Sequence, residues 1–102
     1  MNTLIKKCRS LLQAQYGDRF AGLLLYGSQA RGDAGPGSDL DLLVLLNGPF
    51  DYFEELHTII DLLYSLQLES NYLISARPAG TEEFEDGSLQ LYRNAKREGI
   101  LV

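Results

Sequence analysis

The sequence predicts a small α+β domain in which helices pack against a mixed β-sheet. Two observations support this prediction: apolar residues recur at helical spacing in some segments, and short, nearly continuous apolar runs lie between those segments. The two kinds of segment alternate along the chain, as is typical of a sheet covered by helices. The 102 residues suit a single domain spanning residues 1–102, large enough for a small core.

The first three elements are predicted from residues 3–32. Residues 3–16 place apolar side chains on one helical face, and Gly17-Asp18 ends this helix. The run from Phe20 to Tyr26 is apolar throughout, which predicts a strand covered on both faces. Ser28 to Gly32 predicts a brief helix directly after that strand.

A loop and two further elements follow. Gly35-Pro36-Gly37 is unsuitable for regular structure and predicts the loop. The second strand is predicted from Asp39 to Leu46. Asp51 followed three residues later by Glu54 is the capping-box pattern, so we expect a helix that begins there and reaches about Gln67.

The last third of the chain predicts one strand and one helix. The third strand is expected from Tyr72 to Ala76, and Arg77 to Gly80 reads as a connector. Two alternative caps are present for the last helix: Thr81, or the Asp86-Gly87-Ser88 segment. This helix is expected to end before Gly99.

Composition narrows the range of functions. Nine basic and 14 acidic residues give a formal net charge of −5, which argues against direct nucleic-acid binding, where a basic face is usual. The single cysteine, Cys8, excludes an internal disulfide and fits a reducing compartment. Neither a secretory signal at the start nor an apolar run of the ~20 residues that span a bilayer is present, so we expect a cytoplasmic protein without membrane association.

Two aspartates near the middle of the chain carry the main chemical hypothesis. Asp39 and Asp41 are two residues apart, so in a strand they point to the same side, about 6.6 Å apart. Paired carboxylates suit Mg²⁺, which takes one or two protein carboxylates together with substrate phosphates. Upstream, Gly27 allows a close backbone approach and Ser28 begins a helix whose N–H groups attract phosphate. The alternative is structural: polar residues at a strand start, and Ser28 as an N-cap.

This pattern resembles the nucleotidyltransferase superfamily of DNA polymerase β type, in which Gly-Ser is followed, about ten residues later, by Asp-x-Asp. The matching positions are Gly27, Ser28, Ala30, Arg31, Gly32, Ser38, Asp39, Asp41 and Leu42. The short chain is similar to the minimal nucleotidyltransferases, many of which act as antitoxins to HEPN-type ribonuclease toxins.

The resemblance implies a polymerase β-like fold. It also implies a reaction in which AMP is transferred from ATP to a tyrosine hydroxyl on a HEPN-type toxin. Asp39 and Asp41 would be the catalytic residues and would bind Mg²⁺. The residues implied to bind the nucleotide are Gly27, Ser28, Arg31 and Ser38. The sequence is compatible with a homo- or hetero-oligomer.

One feature departs from the family pattern. Active members usually have a third acidic residue on the neighbouring strand, whereas the predicted strand from Tyr72 to Ala76 has none. Glu69, Asn71 and Ser75 are the nearby substitutes, and a neutral amide or hydroxyl neither balances a second Mg²⁺ nor acts as a base near neutral pH. The alternative function is therefore a catalytically weakened binding module that neutralises its partner by occlusion.

Overall fold

The computed structural model describes residues 2–35 and 37–102. Met1 lies outside the described residues, and so does Pro36, which belongs to the predicted loop. The helices in the described ranges are α1 (Asn2–Tyr16), α2 (Ser28–Arg31), α3 (Tyr52–Glu69), α4 (Thr81–Asp86) and α5 (Gln90–Glu98). The strands in those ranges are β1 (Phe20–Tyr26), β2 (Leu40–Leu46), β3 (Ile74–Gly80) and β4 (Ile100–Leu101). A 3-10 turn, Gly17–Arg19, joins α1 to β1.

The strands form one mixed sheet in the order β3-β2-β1-β4. β1 is antiparallel to both β2 and β4, whereas β2 and β3 are parallel. Helices cover both faces of this sheet, which confirms the predicted α+β class.

The two-sided cover explains why β2 is apolar almost throughout. Leu42 and Val44 point toward α1 and α3, and the alternate residues Leu43 and Leu45 point toward α4 and α5. All four side chains are buried. A strand between two helical layers has no solvent-facing side, so its sequence does not alternate between apolar and polar residues.

Several predicted elements are confirmed. β1 has the predicted bounds, and α1 agrees with its prediction to within one residue. The Asp51 carboxylate accepts a hydrogen bond from the Glu54 N–H at 2.9 Å, which confirms Asp51 as the N-cap of α3. Among the described residues, no helix combines the length and the hydropathy that a bilayer crossing requires.

The third strand differs from its prediction at both ends. β3 begins at Ile74 instead of Tyr72, and the segment from Arg77 to Gly80, predicted as a connector, is its second half. This second half contains Pro78, which has no N–H to donate to a neighbouring strand. β3 lies at the edge of the sheet, however, where a strand tolerates proline because one side of its backbone needs no partner.

The C-terminal region also differs from its prediction. Two helices, α4 and α5, replace the single expected helix, because Gly87 adopts the left-handed conformation with φ 66° and ends α4. The caps are wrong as well: Gly80 is the N-cap of α4, and Leu89 is that of α5. The sequence analysis did not predict β4.

Cys8 is expected to be unreactive in the folded protein. Its side chain is fully buried in α1, and burial raises the pKa of the thiol to about 11. Reaction with a thiol reagent at neutral pH should be at least about a hundredfold slower than in the guanidinium-unfolded chain. Because the folded pKa is raised, the stability that Cys8 contributes is complete below about pH 8.5 and declines as the pH rises further. Equal rates in the folded and unfolded states would contradict this packing.

Candidate active site

A glycine turn between β1 and α2 forms one side of the site. Gly27 has φ 76°, a conformation that favours glycine. A Cβ built at this position would collide with the Asp41 carboxylate, with Oδ2 as its nearest atom. The Asp41 carboxylate therefore lies directly against the Gly27 Cα, and only a residue without a side chain leaves room for it.

The short helix α2 begins at this turn. The Ala30 and Arg31 N–H groups both donate to the Gly27 carbonyl at 3.1 Å, so Gly27 is the N-cap and the alternative of Ser28 as N-cap is wrong. Ser28 is the first helical residue and is half-buried. The first N–H groups of a helix have no acceptor within it, so those of Ser28 and Gln29 can serve a ligand.

The two aspartates lie on the opposite side of the site. Asp41 is the second residue of β2 and half-buried. Asp39 was predicted as the first residue of this strand, but it is exposed and immediately precedes β2, which begins at Leu40. Burial raises the pKa of the Asp41 carboxyl, Asp39 raises it further, and the Arg77 and Arg31 guanidinium groups lower it. The charges of Asp39, Arg77 and Arg31 therefore lie close enough to Asp41 to affect its ionisation.

The donor set fits a divalent cation bound by two carboxylates. Within the described residues, the aspartates that accept hydrogen bonds are Asp33 and Asp51, and neither Asp39 nor Asp41 forms an ion pair. Two carboxylates held together without a protein partner retain the charge and the oxygen atoms that Mg²⁺ prefers. Asp39 and Asp41 are the residues that would hold this ion.

A third acidic group is absent from this site in the described part of the chain. Ser75 on β3 lies opposite Asp41 in the parallel register, at the position where a third carboxylate would complete the set. Glu69 ends α3 and Asn71 lies in the connection before β3, and both are exposed. No group of three or more potential metal-ligating His, Cys, Asp or Glu side chains occurs among the described residues.

The loop before β2 is closed by Ser38. Its Oγ accepts a hydrogen bond from the Gly35 N–H at 2.9 Å, and its own N–H donates to the Gly35 carbonyl at 3.2 Å. These bonds hold Gly35 against Ser38, immediately before Asp39. The predicted contact between Ser38 and the nucleotide stays a prediction.

Arg31 is held by carboxylates on two sides. Its guanidinium donates to Asp33 at 3.1 Å and to Glu98, at the end of α5, at 3.2 Å. Its predicted nucleotide contact also stays a prediction. Neither Glu98 nor Arg77 was predicted as a site residue, and the segment that contains Arg77 was predicted as a connector. Only the sheet register shows that Arg77 lies on the same face of the sheet as Asp41.

Known proteins resemble this chain over nearly its whole length. Residues 2–102 match the family model described as a nucleotidyltransferase domain. A protein of Methanocaldococcus jannaschii, named "Putative protein adenylyltransferase", is 33% identical over 99 residues, which cover 96% of this chain and 93% of the relative.

A solved structure shares the fold. It is described as a "putative nucleotidyltransferase" from Sulfolobus solfataricus, and it matches 97% of this chain and 76% of its own with a TM-score of 0.71 at 19% identity. The predicted nucleotidyltransferase fold of polymerase β type is thus confirmed. With the family model matching nearly the whole sequence, the chain belongs to the nucleotidyltransferase domain family.

Proposed function

We propose that this nucleotidyltransferase moves AMP from ATP to the hydroxyl of a tyrosine on a partner protein, with Mg²⁺ bound at Asp39 and Asp41. The observation that carries this proposal is the position of the Asp41 carboxylate against Gly27, at the start of α2. A nucleotide triphosphate at this turn would lie between backbone N–H groups and the paired carboxylates. The name of the archaeal relative supports a protein as the acceptor.

The proposed reaction is a displacement at the α-phosphorus. The tyrosine oxygen forms a bond to that phosphorus, the bond to the bridging oxygen breaks, and pyrophosphate leaves with the bonding electrons. The hydroxyl proton passes to solvent, because Ser75 is no base near neutral pH. Bound Mg²⁺ would stabilise the negative charge that develops on the phosphates. The protein contributes mainly alignment and electrostatics, as is general for phosphoryl transfer.

We further propose that the acceptor is a HEPN-type ribonuclease toxin and that the chain acts as its antitoxin. The net negative charge of the sequence is concentrated in residues 32–76, which contain eight acidic residues and no lysine or arginine. The acidic residues of this segment are Asp33, Asp39, Asp41, Asp51, Glu54, Glu55, Asp61 and Glu69. Such a segment suits a partner with a basic surface.

The second candidate function is neutralisation by occlusion, and one observation favours it. Four apolar side chains on the outer face of α3 are each more than half exposed: Phe53, Ile60, Tyr64 and Leu68. They extend over about 22 Å of the helix at 1.5 Å per residue. An exposed apolar strip of this length is typical of a protein-binding surface. It could serve either to deliver an acceptor tyrosine or to cover the partner.

The transfer is tested with ATP labelled at the α-phosphate, Mg²⁺ and a purified HEPN-type ribonuclease as the proposed acceptor. We expect label on the ribonuclease, and none when ATP carries the label at the γ-phosphate. Replacing the acceptor tyrosine by phenylalanine should abolish the label. Label from the γ-phosphate would indicate a kinase, and an unlabelled but inactive ribonuclease would favour occlusion.

A further inference from the structure

Arg77 lies on the face of the sheet that also carries Asp41. It lies on β3 opposite Leu43, two residues beyond the pair of Ser75 and Asp41. Successive residues alternate between the faces of a strand, so Ser75 and Arg77 share the face that carries Asp41. The register is held at its start by Gln67, whose side chain accepts from the Ile74 N–H at 2.6 Å and donates to the Tyr72 carbonyl at 2.9 Å.

The position of Arg77 allows its guanidinium to reach the site. The backbone of Arg77 lies about 8 Å from that of Asp41, since the two residues are one strand apart across the sheet and two residues apart along it. An arginine side chain is long enough to span most of this distance. Burial raises the pKa of both Asp41 and Tyr26, and the positive charge of Arg77 partly offsets each rise, which agrees with this position. Tyr26 pairs with Asp41 on the other side of β2.

Arg77 has no protein partner in the part of the chain that the structure describes. Each other arginine forms a hydrogen bond or an ion pair there, and these are Arg9, Arg19, Arg31, Arg93 and Arg97. Arg77 is exposed at the sheet edge and keeps its donors available. A guanidinium binds phosphate through two parallel N–H groups, so this arginine is suited to an anionic ligand held at the neighbouring carboxylates.

The charges around the site favour one divalent cation. Asp39 and Asp41 provide two negative charges, enough to hold one such ion with the phosphates. A second ion would need further negative ligands, whereas Ser75 is neutral and Arg77 is positive. We propose that Arg77 contacts the triphosphate in place of a second divalent cation, so that the site binds the nucleotide with a single metal ion. This inference rests on the proposed nucleotide-binding function.

The test measures binding and does not depend on transfer. The first probe is α,β-methylene-ATP, and calorimetry in the presence of Mg²⁺ measures its affinity. The second probe is Mn²⁺, and electron paramagnetic resonance measures how many of these ions bind per nucleotide. Arg77→Gln should bind the analogue about tenfold more weakly, and Arg77→Lys should retain part of the affinity. Wild-type protein should hold one Mn²⁺ per bound nucleotide. Arg9→Gln is the matched control and should change neither quantity, because α1 covers the other face of the sheet.

The outcomes separate this inference from the proposed function. Two Mn²⁺ ions per nucleotide in the wild type would overturn the inference. The inference would also be overturned if Arg77→Gln bound the analogue as tightly as the wild type while Asp41→Asn lost metal-dependent binding. In both cases the proposed function would stand. A wild-type protein that binds no nucleotide would overturn both. Circular dichroism of Arg77→Gln checks that the exposed substitution leaves the fold unchanged.

Discussion

Replacing both aspartates, Asp39→Asn with Asp41→Asn, is expected to reduce AMP transfer by at least about a thousandfold. The amides keep the shape of the side chains but lose the two negative charges that would hold Mg²⁺. A bound metal ion supplies several kcal/mol of transition-state stabilisation, and each 1.4 kcal/mol corresponds to a factor of about ten. The measurement is the initial rate of label transfer from α-labelled ATP.

The control for this variant removes two charges elsewhere. Asp18 and Asp86 are exposed, in the turn after α1 and at the end of α4, and their double replacement by asparagine should leave the rate within about twofold. If the Asp39→Asn, Asp41→Asn protein still binds and neutralises its partner, occlusion is the function. If the complex forms but the ribonuclease stays active, the chemistry is required.

A stability measurement shows that the double variant is folded. Because the folded state raises the pKa of Asp41, ionisation of this carboxyl costs stability. That cost is absent below the ordinary aspartate pKa and grows as the pH rises through the folded value. Without divalent ions, the variant should therefore melt a few degrees above the wild type at neutral pH, with little difference near pH 3. A lower melting temperature at neutral pH would contradict the placement of Asp41.

The second large effect is expected for Gly27→Ala. This substitution places a methyl group in the left-handed conformation and against the Asp41 carboxylate. Backbone strain costs about 1–2 kcal/mol, and displacing Asp41 adds to it, so we expect a loss of about 2–4 kcal/mol together with loss of nucleotide binding. Urea unfolding and calorimetry measure the two effects.

The chain contains a matched control for this substitution. Gly32 has φ 80°, close to the 76° of Gly27, and a Cβ there would meet no atom within 4 Å. Gly32→Ala should therefore show the backbone cost alone, about 1–2 kcal/mol, and keep nucleotide binding. Adding Asp41→Ala to Gly27→Ala should recover stability by relieving the collision. Equal losses for the two glycines would mean that Asp41 does not pack against the turn.

Local patterns in the sequence predicted the elements that interact with near neighbours. The bounds of β1 followed from an apolar run between turns, and the start of α3 followed from Asp51 and Glu54. The glycine–serine turn and the paired aspartates were likewise read from adjacent residues. In each case, the signal lies within a few residues of the feature that it predicts.

The sequence by itself determined the α+β class and the nucleotidyltransferase family, and it predicted the proximity of Asp41 to Gly27 that the structure shows. Only the tertiary structure decided that Pro78 belongs to an edge strand, that Ser75 lies opposite Asp41 and that Arg77 occupies the same face. The physical reason is that strand register depends on hydrogen bonds between segments more than 30 residues apart, and no local pattern records which residues they bring together.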